Sequence, residues 1–528
     1  GHDGTWYLAG QRAPLTAEPL PAPGPLQLAQ YVGGDALVRR TLAGQVPRAI
    51  VTTGNDDAAA VLAGYAHAVA HAGRGVIVIV PDRAATARVG AALARCGVPV
   101  AAWTELMADD GPEVRYRNWL RALRGDVRIV VGTRSAVFAP VENLAAICVW
   151  DEWDESLTDP QAPYWNARDV AVLRSRQQAT ALVLAGASVS AEAAALMPWA
   201  AHLHREAQDL RQRSPRVRSA LDDVYAERDV PARMPSIALQ TLRAGLSDGP
   251  VLVLVARAGY QPRLACAGCR SFAQCTTCGG PLLRTARTSD PVCSHCGAAA
   301  PGWECPWCHG TALRTPVVGS ERTAEELGRA FPNTPIRTSS GTTVVRAVDS
   351  RPQVVVATPG AVPVAAGGYS AAVLLDGAMM LARPDLRAAQ DAFSRWSEAV
   401  AAVRTGGSVV VVAEPDHPAV QALIRTDPMG FAQREAAARA EVMLPPSVRL
   451  VSLTGAAPDV QAVSDAVDVP GCVRRGPVPV ADGQVRLLLS VPPAQGADLA
   501  KAVRSVIVAR SAGRTGGAVT VRVDPRVI

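Results

Sequence analysis

Val51-Thr52-Thr53-Gly54-Asn55-Asp56-Asp57-Ala58 is the stretch on which the fold turns. The run Ala49 to Thr53 has the pattern of a buried strand, Gly54 permits a sharp turn at its end, and the alanine-rich stretch from Ala58 reads as a helix. A strand that turns through glycine into a helix is the place where backbone N–H groups can cradle a phosphate. Outward from it, the apolar runs Val76 to Val80, Val127 to Val131, Ala146 to Val149 and Ala181 to Ala185 alternate with Ala/Arg-rich helical stretches, which predicts a parallel α/β sheet. A second series, Val251 to Val255, Gln353 to Ala357, Ala372 to Leu375 and Ser408 to Val412, predicts another.

A chain of 528 residues has room for three or four domains of about 150 residues each. Hydrophobic residues at 49% and charged residues at 19% supply several cores and exclude both a disordered chain and a small disulfide-stapled module. The partition that follows is 1–45 as an N-terminal segment or linker, 46–205 as a first lobe, 206–261 with 315–430 as a second, 262–314 as a cysteine-rich insertion, and 431–528 as a small α+β C-terminal domain. Gly1 and His2 look like a processed start, and a Pro-rich stretch runs from Pro14 to Pro25. The longest uncharged stretch, Val354 to Leu375, is broken by Pro359, Gly360, Pro363, Gly367 and Gly368, so it predicts two strands and a turn instead of a membrane span. With no signal segment either, the expected location is cytoplasmic. The net charge of +6 permits a nucleic-acid partner without requiring one. Among 53 basic residues Lys501 is the single lysine, so chemistry that needs a lysine elsewhere is excluded.

Eight of eleven cysteines form four C-x-x-C pairs: Cys266/Cys269, Cys275/Cys278, Cys293/Cys296 and Cys305/Cys308. Two intervening residues let both thiolates of a pair converge on one ion from one tight turn, at about 2.3 Å for zinc. Four pairs make two tetrahedral sites, so two Zn(II) per chain are expected. The expected pairing is nested, Cys266, Cys269, Cys305 and Cys308 on the first ion and Cys275, Cys278, Cys293 and Cys296 on the second. Pairing in sequence order is the alternative. His295 and His309 lie in the cluster, but eight thiolates already fill both tetrahedra. Sites with four protein ligands stabilise a fold and activate no water. Between Arg257 and Arg314, six arginines (257, 263, 270, 284, 287, 314) face Asp290 and Glu304, a local excess of four that favours contact with phosphates.

The region from Val46 resembles the PriA family of replication-restart proteins, of the superfamily 2 helicase class. Besides the strand-to-helix turn, the resemblance rests on Gly132-Thr133-Arg134-Ser135-Ala136-Val137-Phe138-Ala139-Pro140, on Asp151-Glu152-Trp153-Asp154-Glu155-Ser156, and on Pro163 to Asp169. Further along it rests on Arg257-Ala258-Gly259-Tyr260 before the cysteines, Gly319-Ser320-Glu321, Pro384 to Ala388, Pro415-Asp416-His417 and Val523-Asp524-Pro525. It implies two RecA-like lobes, a degenerate helicase core with a zinc ribbon inserted in the second lobe.

The departures from the family are as informative. Its phosphate loop ends in Gly-Lys-Thr; aligned on Gly54, this chain has Asp56 for the glycine, Asp57 for the lysine and Ala58 for the magnesium-holding hydroxyl. An aspartate repels a triphosphate and alanine offers magnesium no oxygen, so ATP and Mg are not expected to bind. Asp154 replaces the DEAH-type histidine, and Gly186-Ala187-Ser188-Val189-Ser190 is a remnant of the Ser-Ala-Thr motif. Ser339, Gly341 and Ala357-Thr358-Pro359 stand in place of the paired aspartates and the Gly-Thr-Gln motif. Ala402-Val403-Arg404-Thr405-Gly406 replaces the arginine-finger motif. The pattern resembles the divergent, motor-deficient PriA proteins of actinobacteria. No counterpart of the family's N-terminal DNA-binding domain is recognisable. The resemblance implies a restart component that recognises stalled or branched forks and recruits partners, single-strand-binding proteins among them, without helicase or ATPase activity, as a monomer. The alternative is an active 3′–5′ helicase with an atypical nucleotide site. Thr133 and Arg134 are the candidate contacts to a DNA backbone, and Trp303 and Trp307 are candidates to stack on bases.

Overall fold

The computed structural model describes residues 20–221, 233–257, 264–269, 271–284, 290–293, 296–314, 319–341, 343–383, 385–480, 483–514 and 516–526. Seven strands make the first sheet: β1 (Arg48–Thr52), β2 (Gly75–Ile79), β3 (Trp103–Leu106), β4 (Ile129–Gly132), β5 (Leu144–Trp150), β6 (Ala181–Gly186) and β7 (Ala201–Leu203). They pair in the order β3-β4-β2-β5-β6-β1-β7, every pair parallel. In β2 the two faces separate residue by residue: Val76, Val78 and Val80 enter one core, Ile77 and Ile79 the other. Both faces are covered, which is why the strand reads as a continuous apolar run instead of an alternation.

The second sheet takes β8 (Arg216–Ser219) and β9 (Val251–Leu254) from before the cysteine block. The block itself carries two short hairpin ladders, β10 (Ala265–Cys266) with β13 (Leu313–Arg314) and β11 (Leu282–Leu283) with β12 (Val292–Cys293). Beyond it come β14 (Ile336–Ser339), β15 (Ala347–Val348), β16 (Val354–Ala357), β17 (Val364–Ala365), β18 (Tyr369–Leu374) and β19 (Val403–Val411). The sheet order is β14-β16-β9-β18-β19-β8, again all parallel, while β15 and β17 form a small ladder apart. Leu252 and Leu254 face one core and Val251, Val253 and Val255 the other, repeating the layering of the first sheet. The C-terminal sheet, β20 (Arg449–Gly455), β21 (Val473–Pro479), β22 (Val485–Val491) and β23 (Val519–Val523), is antiparallel in the order β21-β22-β20-β23. Leu499 and Val503, from helix Gly496–Gly513, help to cover its apolar face.

Two expected boundaries are corrected. Within 1–45, the described residues from 20 onward are no linker: Leu20, Leu28, Tyr31 and Leu37 are buried in the same core as Leu62 and Val76, and Gly34–Leu42 is a helix. The boundary at 430/431 falls inside helix Pro428–Glu441, whose Met429 and Ala432 enter a first-sheet core while Phe431 packs on Phe393 of the second. Residues 258–260 and Pro384 of the quoted motifs lie outside the described residues, as do His295 and arginines 263, 270 and 287. Among the described residues no helix is long and apolar enough to cross a membrane.

Candidate functional site

The loop around Gly54 sits at the end of β1, where the Thr53 N–H donates to the Gly186 carbonyl at 2.9 Å and Gly54 turns at φ +56. Asp57 caps helix Ala58–His71 with its own carboxylate, accepting from the Ala59 N–H at 3.2 Å. The N–H groups that would cradle a phosphate thus meet a carboxylate of the chain itself. Outside the helix, Asp57 pairs with Arg88 at 2.9 Å and Arg95 at 3.4 Å. Asp56 is more deeply held. It accepts from the Tyr31 hydroxyl at 2.5 Å and is clamped by Arg205, which also reaches Asp209 at 2.6 Å and Gln30 at 2.5 Å. Burial first, and Asp56 second, push the Tyr31 hydroxyl far above its ordinary pKa, so it remains a donor.

Asn55 closes the mouth of the loop by reaching the other lobe, its amide donating to the Val403 carbonyl at 2.9 Å and the Val400 carbonyl at 3.3 Å. The remaining space beside the loop is a cavity of about 220 Å³ lined by Gly54, Asn55, His202, Phe393, Val400 and Leu423 among others. Among the described residues, Arg205 is the one guanidinium on its lining, and it is occupied by Asp56 and Asp209. Burial, then the neighbouring His204, lower His202 to about 4, so at neutral pH it brings no charge. Arg404, from the segment replacing the arginine finger, lies in β19 and is directed to Asp248 of its own lobe, with 3.2 Å to the carbonyl. Among the described residues, the arrangement offers a triphosphate two carboxylates and no free cation.

The acidic motif follows β5 and is buried between the lobes. Asp151 lies at φ +48, 6% exposed, with one carboxylate oxygen lacking any hydrogen-bond partner. Burial, then Glu398 and Asp154, push its carboxyl well above the usual range. Glu152 accepts from the Ser190 N–H at 2.7 Å and the Ser190 hydroxyl at 2.8 Å and pairs with Arg168 at 3.0 Å. Burial would raise Asp154, but Arg395 at 2.8 Å and the Ser156 N–H override it and hold the carboxyl below its ordinary value. Arg395 comes from the second lobe, helix Ala388–Ala401, and also lies over the Trp153 ring at 4.6 Å.

More ties cross the same gap: Ser188 donates to Ser394 at 2.7 Å, the Ala191 N–H to Gln390 at 3.0 Å, and Glu192 pairs with Arg387 at 2.6 Å. Glu192 is lowered to about 2, burial opposing and Arg387, Arg168 and Arg439 prevailing. The sequence reading picked out the acidic motif but missed Arg168 and Arg395, which hold Glu152 and Asp154, and Arg387, which holds Glu192 beside it. Two of them lay in quoted family segments, yet which carboxylate each would meet is a long-range property that spacing does not carry.

The two cysteine groups are each gathered in space. Cys266, Cys269, Cys305 and Cys308 form one and Cys275, Cys278, Cys293 and Cys296 the other, with the sulfurs of each group within 4.8 Å of one another. The pairing is nested, and the sequential alternative is absent. Sulfur separations of 3.5 Å (Cys266–Cys308, Cys269–Cys305, Cys278–Cys293) and 3.8 Å (Cys275–Cys296) compare with about 3.8 Å across the edge of a tetrahedron with 2.3 Å metal–sulfur bonds. The Ser271 hydroxyl and N–H lower Cys269 to about 6, and the N–H groups of Thr277 and Cys278 do the same for Cys275. Although the N–H groups of Gly280 and Gly310 favour thiolates at Cys278 and Cys308, hydrogen bonds with neighbouring sulfurs raise these to about 12 and about 11. Protons shared among four thiols are what a divalent metal displaces, so the residues present fit such an ion. Trp303 is buried and donates to the Gln274 carbonyl at 3.0 Å, a packing role, whereas Trp307 is 74% exposed.

Thr133 and Arg134 follow β4. Thr133 carries a buried hydroxyl without a partner, and Arg134 reaches Asp159 at 3.3 Å and the Ser156 carbonyl at 3.4 Å. The pair stands apart from the cysteine groups in sequence and is engaged within its own lobe.

Comparison with known proteins gives a consistent result. Residues 440–526 match the family model described as the primosomal protein N C-terminal domain. The chain is 46% identical over 485 residues to the "Probable replication restart protein PriA" of Mycobacterium tuberculosis, covering 86% of this chain and 74% of that protein. The Mycobacterium leprae protein of the same name is 44% identical over 486 residues, covering 86% and 73%. The "Replication restart protein PriA" of Bacillus subtilis is 26% identical over 375 residues, covering 64% and 45%.

Proposed function

The chain belongs to the PriA family of replication restart proteins, and from that premise we propose that it works at stalled or branched forks without hydrolysing ATP. It recognises the junction of duplex and single strands and recruits partner proteins, single-strand-binding proteins among them, for reloading the replicative helicase. It does so as a cytoplasmic, nucleoid-associated monomer. The observation that carries the absence of a motor is the loop after β1. Asp56 and Asp57 stand where a phosphate would be held, and each is already paired, to Arg205 and to Arg88. Binding a triphosphate there would break both pairs and place like charges together in a partly buried site.

The two cysteine groups each hold one Zn(II), Cys266, Cys269, Cys305 and Cys308 the first, Cys275, Cys278, Cys293 and Cys296 the second. The ions supply no chemistry to a substrate; they fix the insertion and present Trp307 at its surface as a stacking platform for an unpaired base. Thr133 and Arg134 are proposed to meet the DNA backbone, which requires Arg134 to exchange its partners Asp159 and Ser156 for a phosphate.

The test is binding of a fluorescent forked DNA by anisotropy, with and without Mg-ATP and with single-strand DNA as competitor. The expected result is preference for the fork and an affinity that Mg-ATP leaves unchanged. An affinity that shifts several-fold with Mg-ATP, but not with Mg alone, would overturn the nucleotide-free reading.

A further inference from the structure

The C-terminal sheet does not finish at its own last strand. After β23 ends at Val523, Asp524 turns the chain at φ +45, a left-handed position that an aspartate tolerates because its short side chain bonds the nearby backbone. Its N–H donates to the Leu450 carbonyl at 2.7 Å and its carboxylate accepts from the Leu450 N–H at 3.0 Å, so the turn is tied at both ends to β20. The turn sends Arg526 between the two lobes. There its guanidinium donates to the Trp153 carbonyl of the first lobe at 3.2 Å and to the Asp391 carboxylate of the second at 2.6 Å. The Arg526 carbonyl accepts from Arg387 at 2.6 Å, and Arg387 in turn holds Glu192 of the first lobe at 2.6 Å. A few residues earlier, Arg522 lies over the ring of Tyr164, in the first lobe, at 4.8 Å.

Three separately folded parts of the chain therefore meet at one arginine. A terminal antiparallel sheet needs none of these contacts for its own core, which is built from Val451, Leu453, Leu487, Leu489 and their neighbours. The planar fork of a guanidinium suits the place, since it can serve an acceptor on each side at once, and any rotation of one lobe against the other must surrender one of them. The other ties across the gap, Asp154 to Arg395 and Ser188 to Ser394, join lobe to lobe directly. The strap, together with Arg522 over Tyr164, brings in the C-terminal sheet as a third body.

We propose that Asp524 to Arg526 form an intramolecular strap that fixes the two lobes in one relative position, with Arg526 as its positioning residue. The surface that spans both lobes is thereby kept assembled with no nucleotide to close it. The strap rests on contacts within the chain and not on the loss of ATP turnover, so an ATPase assay and the experiment below can fail separately.

The experiment is hydrogen exchange read by mass spectrometry on the full chain, comparing the wild type with Arg526→Ala, Arg526→Lys and Asp391→Asn. In Arg526→Ala the amides of 151–157 and 388–396 are expected to exchange at least tenfold faster, with β2 (Gly75–Ile79) unchanged. Arg526→Lys should fall between, because a lysine ammonium keeps the charge but lacks the fork that reaches both acceptors. Asp391→Asn should loosen the same two segments, and it carries the test if Arg526→Ala does not fold. Exchange within twofold of wild type in both segments would overturn the proposal. So would faster exchange spread evenly through β2, which would mark a general loss of stability instead of a released strap.

Discussion

The cysteine insertion and the loop after β1 arrange their charged and ligand-type side chains in opposite ways. In the insertion eight sulfurs form two compact groups, and hydrogen bonds from Ser271, Thr277 and Cys278 favour thiolates at Cys269 and Cys275. In the loop the strand, glycine turn and helix are present, and the carboxylates of Asp56 and Asp57 are paired within the chain, to Arg205 and to Arg88. Asn55, Asp154 and Glu192 tie the two lobes to each other across the gap between them.

The largest expected effect would break the comparison on the insertion's side. Denaturing the purified protein should release about two zinc ions per chain, and chelation should unfold the insertion while the two large sheets survive. Structural zinc contributes about 10–16 kcal/mol in small zinc-binding peptides, and this insertion has only a small core of its own. Metal analysis and limited proteolysis check it; a value near one or zero ions, or an insertion indifferent to chelation, would sink the two-site reading.

The next effect sharpens the other side. Arg168 is buried against Glu152 at 3.0 Å, and Arg168→Ala leaves that carboxylate without a cation in the interior. The expected loss is about 3–5 kcal/mol by urea denaturation. A loss under about 1 kcal/mol would mean that the Ser190 contacts alone satisfy Glu152.

Acid titration should separate the regions again. Glu192 is held at about 2 against an ordinary 4.5, so its contribution is fully present above the ordinary value and is lost as pH falls toward 2. The size is on the order of 3 kcal/mol. Asp151 has the opposite sign: its carboxyl is raised, so keeping it buried costs stability above its ordinary value of 3.8. Asp151→Asn is therefore expected to leave stability at pH 7 unchanged or higher, read as the midpoint of urea unfolding; a marked loss would mean that the carboxylate has a partner it needs.

These groups also mark what sequence could show. The two cysteine groups were legible because each pair is local, with two residues between its members, and the loop's departures from the family could be read because they fall at consecutive positions. The central strands were legible because β2, β5, β6, β9, β16 and β18 are covered on both faces and must be apolar. In the three larger sheets the strands that pattern missed, β3, β7, β8, β14 and β21, lie at sheet edges. An edge strand is less enclosed, so Arg216 and Arg218 in β8, or Arg337 in β14, are tolerated and the apolar run disappears. The interlobe network was illegible for another reason: Glu192 and Arg387, or Trp153 and Arg526, are joined only by folding.

The smallest effect concerns the exposed face of the insertion. Trp307→Ala should leave the zinc content intact and weaken fork binding by about 1–3 kcal/mol, the range for one stacked base. Unchanged affinity in an anisotropy titration would remove Trp307 from the DNA surface.

The most direct test of the central claim is steady-state ATP hydrolysis by the full chain on forked DNA, after purification stringent enough to remove contaminating helicases. The account predicts no turnover above background, with fork binding intact in the same preparation. Fork-stimulated hydrolysis that is abolished by a substitution in this chain, such as Gly54→Val, would contradict it and show that a nucleotide is held beside Asp56 and Asp57 after all.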